Sequence, residues 1–291
     1  MEKLGIDIKS KLFSIIKLTS PEYVIVGIFG FIAGFFISAN KFELNMSLLF
    51  GVISVIFILA GYNSLNAIYD IELDRINKSY RPLPKKEISV MTAFLETIIL
   101  FIFALGFSFF ISGFFVYLVI ISIIFAILYS VPPINLKKRF IIGSLTAVLL
   151  YQIFPMVFGW ISGKGMPINF IYFIIVMTPF FLVGGILKDF EDVRGDSTNK
   201  VHSFIGKFKY AKTIEILYTL CSISIILLII FVLYQKISSF YLFTIFFIIL
   251  VILNIYLLNK KRDIKHSRKI FHYGLIIIIL FDLFIILQLI L

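Results

Sequence analysis

MSLLFGVISVIFILAGYNSLNAIYDIELDRINK, residues 46–78, sets a long uncharged apolar run directly against a charged segment. No charged side chain occurs from Met46 to Tyr69; Asp70, Glu72, Asp74, Arg75 and Lys78 then follow closely. A run of that length meets the roughly 20 residues a helix needs to cross a bilayer. In lipid every backbone N–H and C=O must be satisfied within the segment, so repeated runs of this kind mean helices and not an open sheet.

The rest of the chain repeats the pattern. Of its 291 residues 60% are hydrophobic and 15% are charged, against about 25% charged in an ordinary soluble domain. The mean hydropathy is +1.06. We expect an all-α polytopic membrane protein, a single transmembrane domain over 1–291. Nine spans are placed near 22–40, 46–67, 91–111, 113–130, 140–162, 167–187, 212–234, 238–258 and 271–291. The N-terminal stretch mixes Lys3, Asp7, Lys9, Lys11 and Lys17 with Leu12, Phe13, Ile15 and Ile16. It is too polar for a secretory signal and reads as an interfacial amphipathic helix before the first span.

Charge placement sets the expected orientation. Of the 27 Lys and Arg, all but Lys41, Lys164 and Lys236 fall at the N-terminus or in the segments after spans 2, 4, 6 and 8. The positive-inside rule then puts the N-terminus and those long loops in the cytoplasm, with the cell membrane as the location. The net charge of +11 is thereby a matter of topology, and no nucleic-acid partner is expected. The one cysteine, Cys221, lies in an apolar run and excludes an internal disulfide or a thiolate metal site.

The charged end of the quoted stretch has a counterpart. Asp70, Asp74, Asn77 and Lys78 recur as Asp192, Asp196, Asn199 and Lys200, each 122 residues later. Two units of Asp-x3-Asp-x2-Asn-Lys, each after an apolar span, indicate an internal duplication: a first repeat of about 22–130 and a second of about 140–258, followed by the ninth span. A site at the interface of paired repeats is expected.

Residues four apart share a helix face. Asn66, Asp70 and Asp74 would form one stripe; Lys188, Asp192 and Asp196 would form another, with Asp189 beside it. Stacked carboxylates repel, the more so at the edge of a bilayer. Oxygen ligands without nearby His or Cys favour a hard cation, Mg²⁺ before Ca²⁺ or Mn²⁺. Arg75, Lys78, Arg81, Lys85, Lys86, Lys188, Arg194 and Lys200 flank the stripes, which suits a diphosphate bridged to the metal. Such a diphosphate is a good leaving group, and an apolar bundle would solvate an isoprenoid tail and keep water from an allylic cation. Tyr62, Tyr69, Tyr129 and Tyr151 are available to line that cavity, while Gly27, Gly30 and Gly34 suit close helix contact. Glu96, Gln152, Asn254 and Asp282 are polar groups inside spans. A transporter would instead place its acids near the bilayer midplane. The Asp-Gly and Ala-Arg string of membrane CDP-alcohol phosphotransferases is absent.

At these residues the chain closely resembles the UbiA superfamily of intramembrane prenyltransferases. Asn66, Asp70 and Asp74 match its Asn-x3-Asp-x3-Asp signature, and Asp189, Asp192 and Asp196 match its Asp-x2-Asp-x3-Asp signature. The stretch Asn77-Lys78-Ser-Tyr-Arg81-Pro82-Leu-Pro84 and the Tyr129–Lys138 loop match two further motifs. One departure is Ser20-Pro21, where the family often has Arg-Pro. The resemblance implies that Asn66, Asp70, Asp74, Asp189, Asp192 and Asp196 bind Mg²⁺, with the four paired aspartates catalytic. It also implies that basic residues such as Lys137 and Arg81 help hold a prenyl diphosphate; Tyr129 is expected in the substrate site, and Lys137, Lys138 and Arg139 are candidates for the phosphate of an acceptor. The 188–196 stretch looks most like archaeal members that add a second geranylgeranyl chain to a glycerol phosphate ether, a lipid-like acceptor. An aromatic or quinone-precursor acceptor is the alternative.

Overall fold

The computed structural model describes residues 2–39, 44–163, 169–198 and 203–290, with side chains omitted at 2–9, 169, 194–198, 289 and 290. Among the described residues the secondary structure is entirely helical. The helices are α1 Glu2–Leu18, α2 Pro21–Ala39, α3 Met46–Tyr69, α4 Ile71–Asn77, α5 Val90–Ser108, α6 Gly113–Ser130, α7 Phe140–Val148, α8 Phe154–Ser162, α9 Asn169–Thr198, α10 Phe204–Leu233, α11 Thr244–Lys260 and α12 Ile264–Ile290. Nine of the helical segments in that range are long and apolar enough to cross a membrane, with α7 and α8 forming one span through a π turn at Leu149–Ile153.

Local sequence explains where the helices begin. Asn45, Ser89, Ser112 and Ser203 each cap a helix by accepting the N–H of the third residue onward, at 2.9–3.3 Å. The π turn precedes Pro155, which has no N–H to return to the preceding turn and crowds its carbonyl.

Two boundaries differ instructively from the sequence expectation. A seventh span from 212 becomes a helix from Phe204, but Lys209 breaks it with φ 62°, so the regular apolar part does start just beyond. The ninth span begins at Ile264, not 271, because the basic turn 264–270 continues as helix and carries Arg268 to the site.

Asn66, Asp70 and Asp74 do not sit on one continuous helix: α3 ends at Tyr69, Asp70 leaves helical geometry at φ −101°, ψ 5°, and α4 starts anew. The Asp74 N–H still donates to the Asp70 carbonyl at 2.7 Å, so the break is a bend, not a gap.

Two apolar cores build the bundle. One joins α9 to α12 and parts of α2 and α8; the other joins α2, α3, α5, α6 and the α7–α8 span. Gly34 and Gly159 let α2 and α8 touch: a methyl group at Gly159 would lie 1.8 Å from the Phe31 carbonyl oxygen. The outer faces of α5 and α6 are apolar and exposed, as with Ile102 and Phe114, which suits lipid. Polar cross-links between helices include the Asn254 amide donating to the Ile270 carbonyl at 2.9 Å and Ser54 to that of Ala104 at 2.8 Å. Helix α1 pins the loop after α4, with Ser14 donating to Glu87 and Lys17 to the Tyr80 carbonyl, both at 2.8 Å. A cavity opens between α2, α3 and α6 on one side and α7, α9 and α12 on the other.

Candidate active site

The mouth of this cavity holds the charged residues. The Asn66 amide donates to the Asp70 carboxylate at 2.8 Å, and Lys137 forms an ion pair with the same carboxylate. Lys137 reaches it because its turn folds tightly onto α7: a methyl group at Gly143 would lie 2.7 Å from the Lys137 carbonyl oxygen. Burial of Lys137 holds its ammonium below the ordinary lysine pKa against the pull of Asp70.

Arg81 donates to Asp74 at 2.8 Å. Asp74 is only 3% exposed, and it is Arg81 that lines the cavity. Burial works against the Arg81 charge, but Asp74 outweighs it and the guanidinium is held firmly protonated.

The two signatures meet at Lys78. Its ammonium lies 3.0 Å from Glu191 Oε1 and 3.2 Å from Asp192 Oδ1. Lys78 and Glu191 are each 4% exposed and Asp192 is 8% exposed. Burial again opposes the charge, while the neighbouring carboxylate of Asp192 leads the interactions that raise the Lys78 pKa above its ordinary value. The Asn77 amide donates to the Asp192 backbone carbonyl at 3.0 Å. Arg268 completes the joint, donating to the Asn77 carbonyl at 3.1 Å with Nε 3.5 Å from Glu191.

The sequence-derived residues are therefore gathered selectively. Asn66, Arg81, Tyr129, Lys137, Lys188, Asp189 and Asp192 all line the cavity. Asp189 also accepts the Phe204 N–H at 2.8 Å, tying the acidic end of α9 to the start of α10. Arg75 is not brought in: it is half-exposed and paired with Glu72 at 2.8 Å on the outer side of α4. Lys138 is exposed and does not line the cavity. The Arg194 and Asp196 side chains, and Asn199 and Lys200 altogether, lie outside the described residues.

Deeper in, the wall turns aromatic and apolar. Tyr23, Tyr129 and Tyr151 line it, with the Tyr23 and Tyr151 rings 5.7 Å apart. The Tyr151 hydroxyl donates to Asn63 Oδ1 at 2.9 Å, and the Asn63 amide donates to the Thr19 carbonyl at 2.7 Å. Tyr69 is exposed, and Tyr62 packs behind Tyr151. Sequence reading missed Tyr23, Asn63, Glu191 and Arg268. Tyr23 and Asn63 carried no motif to mark them; Glu191 and Arg268 stood among charges that a loop would explain equally well.

The donor set suits a hard divalent ion. Carboxylates and an amide oxygen face one cavity, and the described residues around it carry no His or Cys. Among the described residues no three carboxylates, imidazoles or thiolates form a ready-made cage. An ion held here would complete its shell with substrate oxygens, which is how Mg²⁺ is commonly bound.

Comparison with known proteins agrees with this fold. The model of the UbiA prenyltransferase family matches residues 27–279. The digeranylgeranylglyceryl phosphate synthase of Methanocaldococcus jannaschii is 34% identical over 208 residues, 69% of each chain. That of Methanococcus vannielii is 32% identical over 197 residues, 67% of this chain and 68% of the relative. A solved structure of a digeranylgeranylglyceryl phosphate synthase superposes with a TM-score of 0.70 at 30% identity, covering 96% of this chain and 99% of the other. The structure of a UbiA homologue from Archaeoglobus fulgidus bound to GPP and Mg²⁺ shares the fold, with a TM-score of 0.74 at 19% identity over 94% of this chain and 99% of that one.

Proposed function

The chain belongs to the UbiA prenyltransferase family and is a multi-pass membrane prenyltransferase, and from that premise we propose that it moves a geranylgeranyl group from geranylgeranyl diphosphate to geranylgeranylglyceryl phosphate. The product is digeranylgeranylglyceryl phosphate, an archaeal ether-lipid precursor. The observation that carries the transfer chemistry is a single cleft with carboxylates and cations at its mouth and an apolar, aromatic shaft beneath. The choice of acceptor is supported by the relatives of that name at 32–34% identity. The same cleft lies at the span ends that the positive-inside rule assigns to the cytoplasm.

In this reading Asp70, Asp192 and Asp189, with Asn66 and the Asp74 and Asp196 of the two signatures, hold Mg²⁺. Bound there, Mg²⁺ would neutralise diphosphate oxygens and so make them a better leaving group. Lys137, Lys188 and Arg81 lie around the same opening and take up charge on the diphosphate as the allylic C1–O bond breaks. Lys78 holds the two acidic signatures in register. The faces of Tyr23, Tyr129 and Tyr151 stabilise the allylic cation, and the apolar walls exclude water that would capture it. The acceptor hydroxyl oxygen bonds to C1, the diphosphate departs with the electron pair, and the hydroxyl proton leaves last, to the diphosphate.

Purified protein should be incubated with Mg²⁺, geranylgeranyl diphosphate and, separately, geranylgeranylglyceryl phosphate, an aromatic acid and a quinone precursor. We expect turnover only with the glycerol ether. Turnover of an aromatic acceptor, with none of the ether, would sink the lipid assignment.

A further inference from the structure

Gly184 and Gly185 sit inside α9, a poor place for glycine unless something requires it. Two usual reasons do not apply. Neither residue has a positive φ, and neither touches a neighbouring helix backbone closely. A methyl group at Gly184 would meet only Ile278 Cδ1, at 3.6 Å; one at Gly185 would meet Val148 at 3.5 Å and the Ser144 carbonyl at 3.8 Å. These are ordinary contacts, unlike the clash at Gly159. What the missing side chains do leave is space, and both residues line the cavity.

A second observation comes from the inner end of the same shaft. Gln152 lines it from the π turn, is 9% exposed, and its carboxamide has no hydrogen bond among the described residues. Close by, across Gly30, lies Asp282, 1% exposed and with neither carboxylate oxygen hydrogen-bonded. The lining of the shaft thus includes, at Gln152, a carboxamide without a hydrogen bond, which an isoprenoid tail cannot satisfy.

The distances match a chain. Phe140 packs against Phe204, whose N–H is held by Asp189, so Phe140 lies level with the second acidic signature. Gln152 is twelve residues further in, about 18 Å by helical rise, and Gly184 lies about 12 Å along α9 from Asp192. An isoprene unit has four backbone bonds of about 1.5 Å each, or roughly 5 Å in extended projection. Four units reach Gln152, and the glycines lie beside the second and third.

We propose that this shaft gauges the donor's isoprenoid chain: Gly184 and Gly185 give the middle units room, and Gln152 sets the end. The proposal rests on the reading that the cleft takes a prenyl diphosphate, but not on which acceptor is used.

The test is equilibrium binding, without acceptor, to the full-length protein in detergent with Mg²⁺. The probes are dimethylallyl, geranyl, farnesyl, geranylgeranyl and the five-unit geranylfarnesyl diphosphate. In the wild type, affinity should climb to four units and fall at five. Gly184→Leu should weaken farnesyl and geranylgeranyl binding at least tenfold and dimethylallyl less than twofold, with Gly184→Ala between. Gln152→Leu should remove the fall at five units. Gly106→Leu, where no atom lies within 4 Å of the added Cβ, should leave the series unchanged. Equal losses at every chain length, or no loss in the Gly184 variants, would overturn the proposal. If Gly184→Leu does not fold, Gly184→Ala and Gln152→Leu decide it. Because no acceptor is present, failure of the glycerol-ether assignment leaves this result intact.

Discussion

Replacing Lys78 by Met tests whether the joint between the two acidic signatures is structural. The ammonium is the nearest cation to two buried carboxylates, 3.0 Å from Glu191 and 3.2 Å from Asp192. Met keeps the apolar stem and removes the charge. Glu191 retains Arg268, but at 3.5 Å and from a partly exposed side chain. Breaking a buried pair by removing one partner costs about 3–5 kcal/mol, because a charge is left uncompensated. At about 2–4 °C per kcal/mol for a chain approaching this size, the apparent melting temperature should fall by roughly 6–20 °C. Thermal unfolding in detergent, followed by the fluorescence of the lone Trp160, measures it. Adding Glu191→Gln should recover part of the loss, since one of the two stranded charges is then gone. Prenyl transfer should stay depressed in the double variant, because Asp192 still lacks its anchor. Wild-type melting in Lys78→Met, or no recovery in the double variant, would refute the reasoning.

Asp70→Asn and Asp192→Asn should each reduce prenyl transfer at least a hundredfold while the protein still folds, and chelation by EDTA should abolish transfer until Mg²⁺ is restored; unchanged turnover in both variants would remove the metal-site proposal. Tyr151→Phe loses one hydrogen bond to Asn63 and should cost about 1 kcal/mol of stability with little change in kcat, whereas Tyr151→Leu, which loses the ring, should lower kcat; equal kcat in the two would argue against a role for the ring face. Gly159→Ala should abolish folded yield, since its methyl group would sit 1.8 Å from the Phe31 carbonyl oxygen, while Gly106→Ala on the open face should be neutral or stabilise by up to about 1 kcal/mol; size-exclusion profiles of the two variants check both outcomes.

Several parts of this site were legible without a structure because the signals are local. Asp70 and Asp192 stood out by their spacing from apolar runs, and Lys137 by its place in a motif. The selection among the basic residues was not legible. Arg75 and Arg81 look equivalent in sequence, yet one pairs with Glu72 on an exposed face and the other with Asp74 beside the cavity. The break at Asp70 was hidden because i,i+4 spacing persists through the bend in the chain.

By itself, then, the sequence determined the solvent and the element type. Long uncharged runs can only be helices in lipid, and charge at their ends is readable residue by residue. What only the tertiary structure decided is which side chains meet. Tyr23 reaches Tyr151, Lys78 reaches Asp192, and Arg268 reaches Asn77, each across a large separation in sequence. Those meetings depend on how each helix is rotated and crossed against its neighbours. That is fixed by the fit of whole surfaces, such as the glycine contacts of α2 with α8, and no single stretch of sequence carries it.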